Sequence, residues 1–329
     1  MPEPTLFVLV IVLAVGFAVI NGFNDAANAI ATVVGTRVLS PLRAVIMAAI
    51  LNFAGAATGL AVAITIGKGI IDPNVLSYQV MLAALIAVIT WGLIATRLGL
   101  PVSISHSFVA GLVGAGIATA GTTSIIVWGS FGMLLSAVAV APALGFAGGL
   151  LVMISLMWIL RHTAPLKVEG TFSRLQILSA AFMAYSHGKN DGQMPIGIMA
   201  MALMIHTGSE FHVPFWVIAL SASAISLGTA FGGWRVIRTV GMRITALRPI
   251  HGFAATGSAA TVVEVASALG IPVSTTHCIS SAIMGVGTTK RLSAVRWGIA
   301  GTIVIAWILT FPICGAIGWL SASLFHILS

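Results

Sequence analysis

The chain has 329 residues, of which 59% are hydrophobic and 7% charged, with a mean hydropathy of +1.11. Soluble domains carry about 25% charged residues, so the composition excludes a soluble globular protein and points to one embedded in a membrane. The net charge of +8 comes from basic residues grouped at the ends of apolar runs, which reads as topology marking by the positive-inside rule rather than a nucleic-acid patch.

The apolar runs are continuous and do not alternate with polar residues, so a transmembrane barrel is excluded and helices are expected throughout. In chain order the expected spans are 5–36, 42–66, 79–96, 101–119, 125–141, 145–160, 175–205, 213–233, 250–269, 272–289 and 297–320. The first run has no basic residues ahead of it and leads directly into a polar motif, so it is read as a membrane helix and not a cleaved leader. Segments 101–119 and 272–289 are short, begin with Pro and are rich in Gly, Ser and Thr. A full crossing needs about 20 apolar residues, so these two are expected to be re-entrant hairpins or broken helices buried in protein. Cys278 and Cys314 give neither a disulfide framework nor a metal spacing.

A nine-residue phrase occurs twice. Residues 98–106 read LGLPVSISH and residues 269–277 read LGIPVSTTH, with six positions identical. The same offset pairs Gly114 with Gly285 and Gly116 with Gly287, and a polar pair recurs earlier in each half as Asn24-Asp25 and Asn190-Asp191. The chain therefore reads as a duplicated unit: a first repeat over 1–144, a linking helix and short basic loop over 145–174, and a second repeat over 175–329. Each repeat holds four crossings and one re-entrant segment, and the linking helix sends the second into the membrane from the opposite face. The expected fold is an all-α integral membrane protein of two inverted repeats, each with a re-entrant helical hairpin, and the substrate site where they meet. With the N-terminus outside, the loops of Arg37/Arg43, Arg161–Arg174 and Arg235–Arg248 fall inside, and Glu210 and the Lys68/Asp72 loop fall outside. Lys290, Arg291 and Arg296 then face out, against the rule.

Seven acidic residues are present, and only Asp25, Asp191 and Glu264 lie inside apolar stretches. An ionisable residue at the bilayer centre costs about 2.5–3.5 kcal/mol or more and is usually functional. Asp25 stands with Asn24 and Asn28, and Asp191 with Asn190 and Gln193. Their oxygens are hard ligands for sodium or another oxygen-seeking cation, so Asp25 and Asp191 are the candidate metal ligands; either carboxyl could instead carry a proton. Interhelical hydrogen bonding is the competing reading, and the duplication favours function. Ser103, Ser105, Ser274, Thr275 and Thr276 follow the two prolines, where a helix N-terminus offers free N–H groups to an anion. Capping is the competing role. His106, His277, Lys189 and Glu264 are further candidates, with structural roles equally open. The Gly-rich stretches are assigned to close helix packing and the tryptophans to interfacial anchoring.

Taken together, NDAANAIATVVGT, LGLPVSISH, SHGKNDGQ and LGIPVSTTH resemble the PiT family of inorganic phosphate transporters over nearly the whole chain. The resemblance implies inverted repeats and uptake of phosphate coupled to sodium or protons, at the cell membrane. It implies cation and phosphate binding by Asn24, Asp25, Asn28, Asn190 and Asp191, and phosphate contacts from Ser103, Ser105, Ser274, Thr275, Thr276 and Gln193. The second-half motif departs from the family's NDxxN, with Met194 in the last place; NDGQ resembles the bacterial proton-coupled branch, whose members move phosphate as a neutral complex with a divalent metal. No resident cofactor is expected; the partners are phosphate, the coupling cation, the lipid bilayer and a second copy in a homodimer. The alternatives are a sulfate permease of the same fold, a pure channel, and an intramembrane hydrolase using Ser103 or Ser274 with a His and an Asp. Two matched copies of the motif argue against the single asymmetric triad a hydrolase needs, so the chain is read as a transporter and not an enzyme.

Overall fold

The computed structural model describes residues 3–67 and 69–328. Lys68 lies outside the described residues. The first half comprises α1 (Glu3–Gly35), α2 (Pro41–Ala56), the short α3 (Ala61–Gly67), α4 (Tyr78–Leu98), α5 (Ile104–Ala120) and α6 (Trp128–Ile159). The second comprises α7 (Pro165–Asp191), α8 (Gln193–Thr207), α9 (Phe215–Phe231), α10 (Trp234–Arg238), α11 (Pro249–Ala268), α12 (Thr275–Thr288) and α13 (Trp297–Leu328). α1, α4, α6 and α13 are each long and apolar enough to cross a membrane, and α9 joins α10 and a following π-helical turn (Thr239–Arg243) through a 62° bend to make a further broken span.

The two hairpins are built by the same local chemistry. Ser77 caps the start of α4, Gly99 ends it at φ 71°, and Ser103 caps α5 by accepting from His106 N at 3.3 Å. In the second half Pro249 opens α11, Gly270 turns the chain at φ 71°, and Ser274 caps α12 by accepting from His277 N at 3.1 Å. A left-handed residue at each turn suits glycine, which lacks the Cβ that resists positive φ.

Both hairpins return to the side they start from. Ile71 before α4 forms an antiparallel bridge with Ile126 after α5, where Asp72 N donates to Ile125 O at 2.7 Å. Ahead of α11, Ile244 O accepts from Arg296 N at 2.9 Å and Thr245 Oγ1 donates to Ala294 O at 2.9 Å. This corrects three expectations. Segments 101–119 and 272–289, expected to be re-entrant hairpins or broken helices in themselves, are the second arms of hairpins whose first arms are segments 79–96 and 250–269, expected as separate crossings. Segments 125–141 and 145–160, expected as two helices, are one helix, α6, with Pro142 inside it; the linking helix is its C-terminal half. Lys290, Arg291 and Arg296, expected on the face opposite Arg235–Arg248, lie beside that loop, where Lys290 Nζ donates to Ala246 O at 2.8 Å.

α1 runs antiparallel to α7–α8. Its start stacks Phe7 on His206 of α8 at 4.3 Å between ring centroids, and past its end Thr36 Oγ1 donates to Gln176 Oε1 of α7 at 2.9 Å. Glycines set the close crossings. A Cβ on Gly22 would lie 2.0 Å from Ile225 O of α9, and one on Gly188 2.2 Å from Asn52 O of α2. Two large apolar cores result, with a small third cluster of Ala56, Ala222 and Ile225. One gathers residues 6–20 of α1, α3, α4, α5 and α8; the other gathers residues 27–33 of α1, α2, α7, α11 and α12. The polar segments 21–28 and 186–193 lie in the layer between them.

Candidate functional site

The hairpin turns, the later half of α1 and the C-terminal end of α7 meet in that polar layer. Each hairpin reaches across to the helix of the other half. Ser105 Oγ, on the first hairpin, donates to Asp191 Oδ1 at 2.7 Å; its repeat counterpart Thr276 donates to Asp25 Oδ1 at 2.8 Å. A third hydroxyl has no such counterpart, because Ile104 stands where the second half has Thr275; Thr275 Oγ1 donates to Asp191 Oδ2 at 2.8 Å. Asn28 Nδ2 holds both threonines, at 3.0 and 2.9 Å. Asn190 Nδ2 donates to Asp191 Oδ1 at 3.1 Å and to Val273 O at the second turn at 2.8 Å.

His187 bridges the two carboxylates. Its Nε2 lies 3.2 Å from Asp191 Oδ2 and 3.8 Å from Asp25 Oδ2, and its Nδ1 is 2.6 Å from Asn52 Oδ1 on α2. Asn52 is held in turn by donating to Thr229 Oγ1 at 2.9 Å. Sequence reasoning did not single out His187 or Asn52. A signal was present: His187 is one turn before Asp191, and the repeat pairs HGKND with NGFND, so His187 matches Asn21.

The layer is rich in unpaired acceptors. Asn21 Oδ1, Asn24 Oδ1, Asn28 Oδ1 and Asn190 Oδ1 are buried and have no hydrogen-bond partner among the described residues. A buried acceptor without a donor costs about 1–3 kcal/mol. Four of them around two carboxylates favour a bound cation or a ligand carrying O–H groups. Asp25, His187 and Asp191 also present ligand atoms all within 4.8 Å of one another, close enough to share one metal ion.

The remaining candidates lie around this centre. Asn24 Nδ2 donates to Thr96 Oγ1 of α4 at 2.7 Å. Ser103 and Ser274 are the helix caps. Gln193 turns to α3, where its Oε1 accepts from Val62 N at 2.8 Å and Ala63 N at 3.2 Å. His106 and His277 pack ring to ring at 5.3 Å, with His277 stacked on Trp307 at 4.0 Å. No hydrogen bond or ion pair among the described residues joins either ring to the carboxylates. Lys189 pairs with Glu264 of α11, not with Asp191.

The chain is similar to known proteins over most of its length. The model of the phosphate transporter family matches residues 21–167 and again 160–318. The chain is 47% identical over 310 residues to a probable low-affinity inorganic phosphate transporter of Rhizobium meliloti (strain 1021), covering 93% of this chain and 92% of that one. It is 41% identical over 318 residues to the protein of the same description from Bacillus subtilis (strain 168), covering 95% of each. Among solved structures, one titled the sodium-dependent phosphate transporter superposes with a TM-score of 0.90 at 30% identity, covering 99% of this chain and 100% of that one.

Proposed function

The chain belongs to the phosphate transporter family, a multi-pass membrane protein by its helices, and on that premise we propose that it carries inorganic phosphate together with a coupling cation by alternating access. The observation that carries this reading is the crossed pair of hydrogen bonds, Ser105 to Asp191 and Thr276 to Asp25. The hydroxyls suited to an oxyanion are held by the carboxylates suited to a cation. A cation or proton that takes the carboxylate oxygens releases Ser105, Thr275 and Thr276 to donate to the anion. Neither ion then binds well alone, which is the requirement for symport.

Sodium is supported as the coupling ion by the structural relative, a sodium-dependent phosphate transporter, and by the hard oxygen donors around Asp25 and Asp191. His187 offers an alternative, since a nitrogen beside two carboxylates suits a divalent metal carried with phosphate. Phosphate over sulfate is supported by the surplus of acceptors: phosphate keeps an O–H to donate near neutral pH and sulfate does not. The antiparallel course of α1 against α7–α8 supports inverted halves. A Ser-His-Asp hydrolase has no support, because the Ser103 and Ser274 hydroxyls cap their own helices.

Uptake of radiolabelled phosphate into proteoliposomes tests the reading, with a sodium or proton gradient imposed and unlabelled sulfate in excess. Accumulation that follows one gradient and ignores sulfate is expected. Equilibration without accumulation would make the protein a channel, and inhibition by sulfate would move it to the sulfate permeases.

A further inference from the structure

One half-buried ion pair stands beside the pocket without belonging to it. Lys189 of α7 pairs with Glu264 of α11, and Ser186 Oγ donates to the second oxygen of that carboxylate at 3.1 Å. Lys189 precedes Asp191 by two residues, so at about 100° per residue it leaves α7 on the side away from the pocket. Exposure falls off inward from this pair. The two side chains are 18% and 25% exposed, while Asn190 and Asp191 are 1% exposed and His187 is 0% exposed. At the rim, Tyr185 and Thr58 share a hydrogen bond of 2.8 Å.

An ionised side chain within the membrane is kept only with a partner. A Lys–Glu pair meets that need with no reference to cargo, and so does any exchange that gives each charge a new partner. We propose that the pair is a loading site, where incoming phosphate takes Lys189 while the coupling cation takes Glu264 and Ser186. A monoanion and a monovalent cation leave the net charge of the site unchanged, so the exchange strands no charge. An ammonium is a compact three-donor charge suited to a tetrahedral oxyanion. The Glu264 carboxylate and Ser186 hydroxyl supply hard oxygens for the cation. The site has one side only: the repeat counterparts of Ser186, Lys189 and Glu264 are Ile20, Phe23 and Leu93, none of which holds an ion. The inference rests on the reading of the chain as a cation-coupled phosphate transporter.

Initial rates of phosphate uptake, with phosphate and coupling cation varied separately, test it. Loss of one charged contact is worth about tenfold. Lys189→Met is expected to raise the KM for phosphate by that factor with kcat within about twofold. Glu264→Gln is expected to raise the half-saturating cation concentration similarly and to leave the phosphate KM at saturating cation unchanged. Lys189→Arg keeps the phosphate KM. The charge-reversed double variant, Lys189→Glu with Glu264→Lys, keeps a pair and restores neither constant. Restoration by the reversal, or equal shifts of both constants in both single variants, would mean a structural pair and overturn the inference. Should the charge-removing variants fail to insert, Ser186→Ala, which removes only a hydroxyl, is expected to raise the cation constant about threefold with the phosphate KM unchanged; no change overturns the inference. A wild-type protein that accumulates no phosphate overturns the transport reading itself, whereas wild-type uptake with unaffected variants overturns the loading site alone.

Discussion

At matched positions of the repeat, the first half presents Asn21, Phe23 and Leu93, and the second presents His187, Lys189 and Glu264. The backbone around them is alike. Gly22 and Gly188 seat α1 and α7 against α9 and α2, and Ser105 and Thr276 cross over at nearly equal distances. The surroundings are not alike. Around Phe23 and Leu93 there is a cavity of about 660 Å3, which Thr96, Arg97 and Arg235 also line. Around Lys189 and Glu264 the corresponding region holds the partly exposed ion pair, with the Tyr185–Thr58 hydrogen bond beside it. The symmetric features build the scaffold, and the asymmetric ones distribute the charge. The second half thus carries an ion pair where the first carries an apolar wall flanked by arginines.

The largest effect is expected at the carboxylates, which test whether the halves contribute equally. Besides the His187 ring that both face, Asp191 accepts from Ser105, Thr275 and Asn190, whereas Asp25 accepts, among the described residues, from Thr276. Asp191→Asn leaves hydroxyl donors facing an amide that also donates, and is expected to lower uptake by about 100-fold or more. Asp25→Asn is expected to lower it less. Both are read from initial rates in proteoliposomes, corrected for inserted protein. Equal losses would show that the pocket works as a symmetric pair despite its unequal bonds.

The scaffold should respond equally in the two halves. A Cβ at residue 22 or 188 would meet a carbonyl oxygen of a fixed helix at 2.0 or 2.2 Å, so the helices must part. Gly22→Ala and Gly188→Ala are each expected to cost about 2–4 kcal/mol of stability. Thermal unfolding in detergent checks this, and a variant as stable as wild type would show that the crossing in that half gives way.

Replacing His187 by Asn makes the second motif match the first at its key position. The ring joins both carboxylates to Asn52. His187→Asn is expected to lower uptake about tenfold and to raise the half-saturating cation concentration, while stability changes by about 1 kcal/mol. Unchanged cation dependence would remove His187 from the coupling machinery and leave it a packing residue.

Much of this arrangement was legible in the sequence, and the reasons the rest was not are physical. The duplicated LGxPVS phrase marked where both re-entrant segments begin, because Gly and Pro mark breaks by backbone geometry alone, but it did not show that the turns lie at the phrase and not inside 101–119 and 272–289. Asp25 and Asp191 stood out because charge is rare in apolar runs. The hairpin arms were misjudged because α4 is 21 residues long and apolar, the length of a crossing; only the pairing of residues 70–72 with 125–127 shows that the chain returns. α6 was divided because Pro142 with Gly145 reads as a break, yet a membrane helix tolerates an internal proline. Gln193 stood beside Asp191 in sequence, but its amide faces the start of α3 because that helix leaves N–H groups to satisfy. His187 was overlooked because a single histidine in an apolar stretch carries no periodic signal.

The smallest effect separates the positions of the two hairpins. Thr96 and Ser267 are repeat counterparts, each near the end of its hairpin's first arm. Thr96 Oγ1 accepts from Asn24 Nδ2 at 2.7 Å. Ser267 Oγ is buried with no partner among the described residues, because Asn190 bonds to Val273 O instead. Thr96→Val therefore leaves a buried amide donor unsatisfied and is expected to cost about 1–2 kcal/mol. Ser267→Ala removes a hydroxyl that bonds nothing and is expected to lie within about 0.5 kcal/mol of wild type. Unfolding midpoints in detergent compare the two. Equal losses would show that Ser267 meets Asn190 as Thr96 meets Asn24, so that the hairpins sit alike in solution and the asymmetry of the halves is confined to their charges.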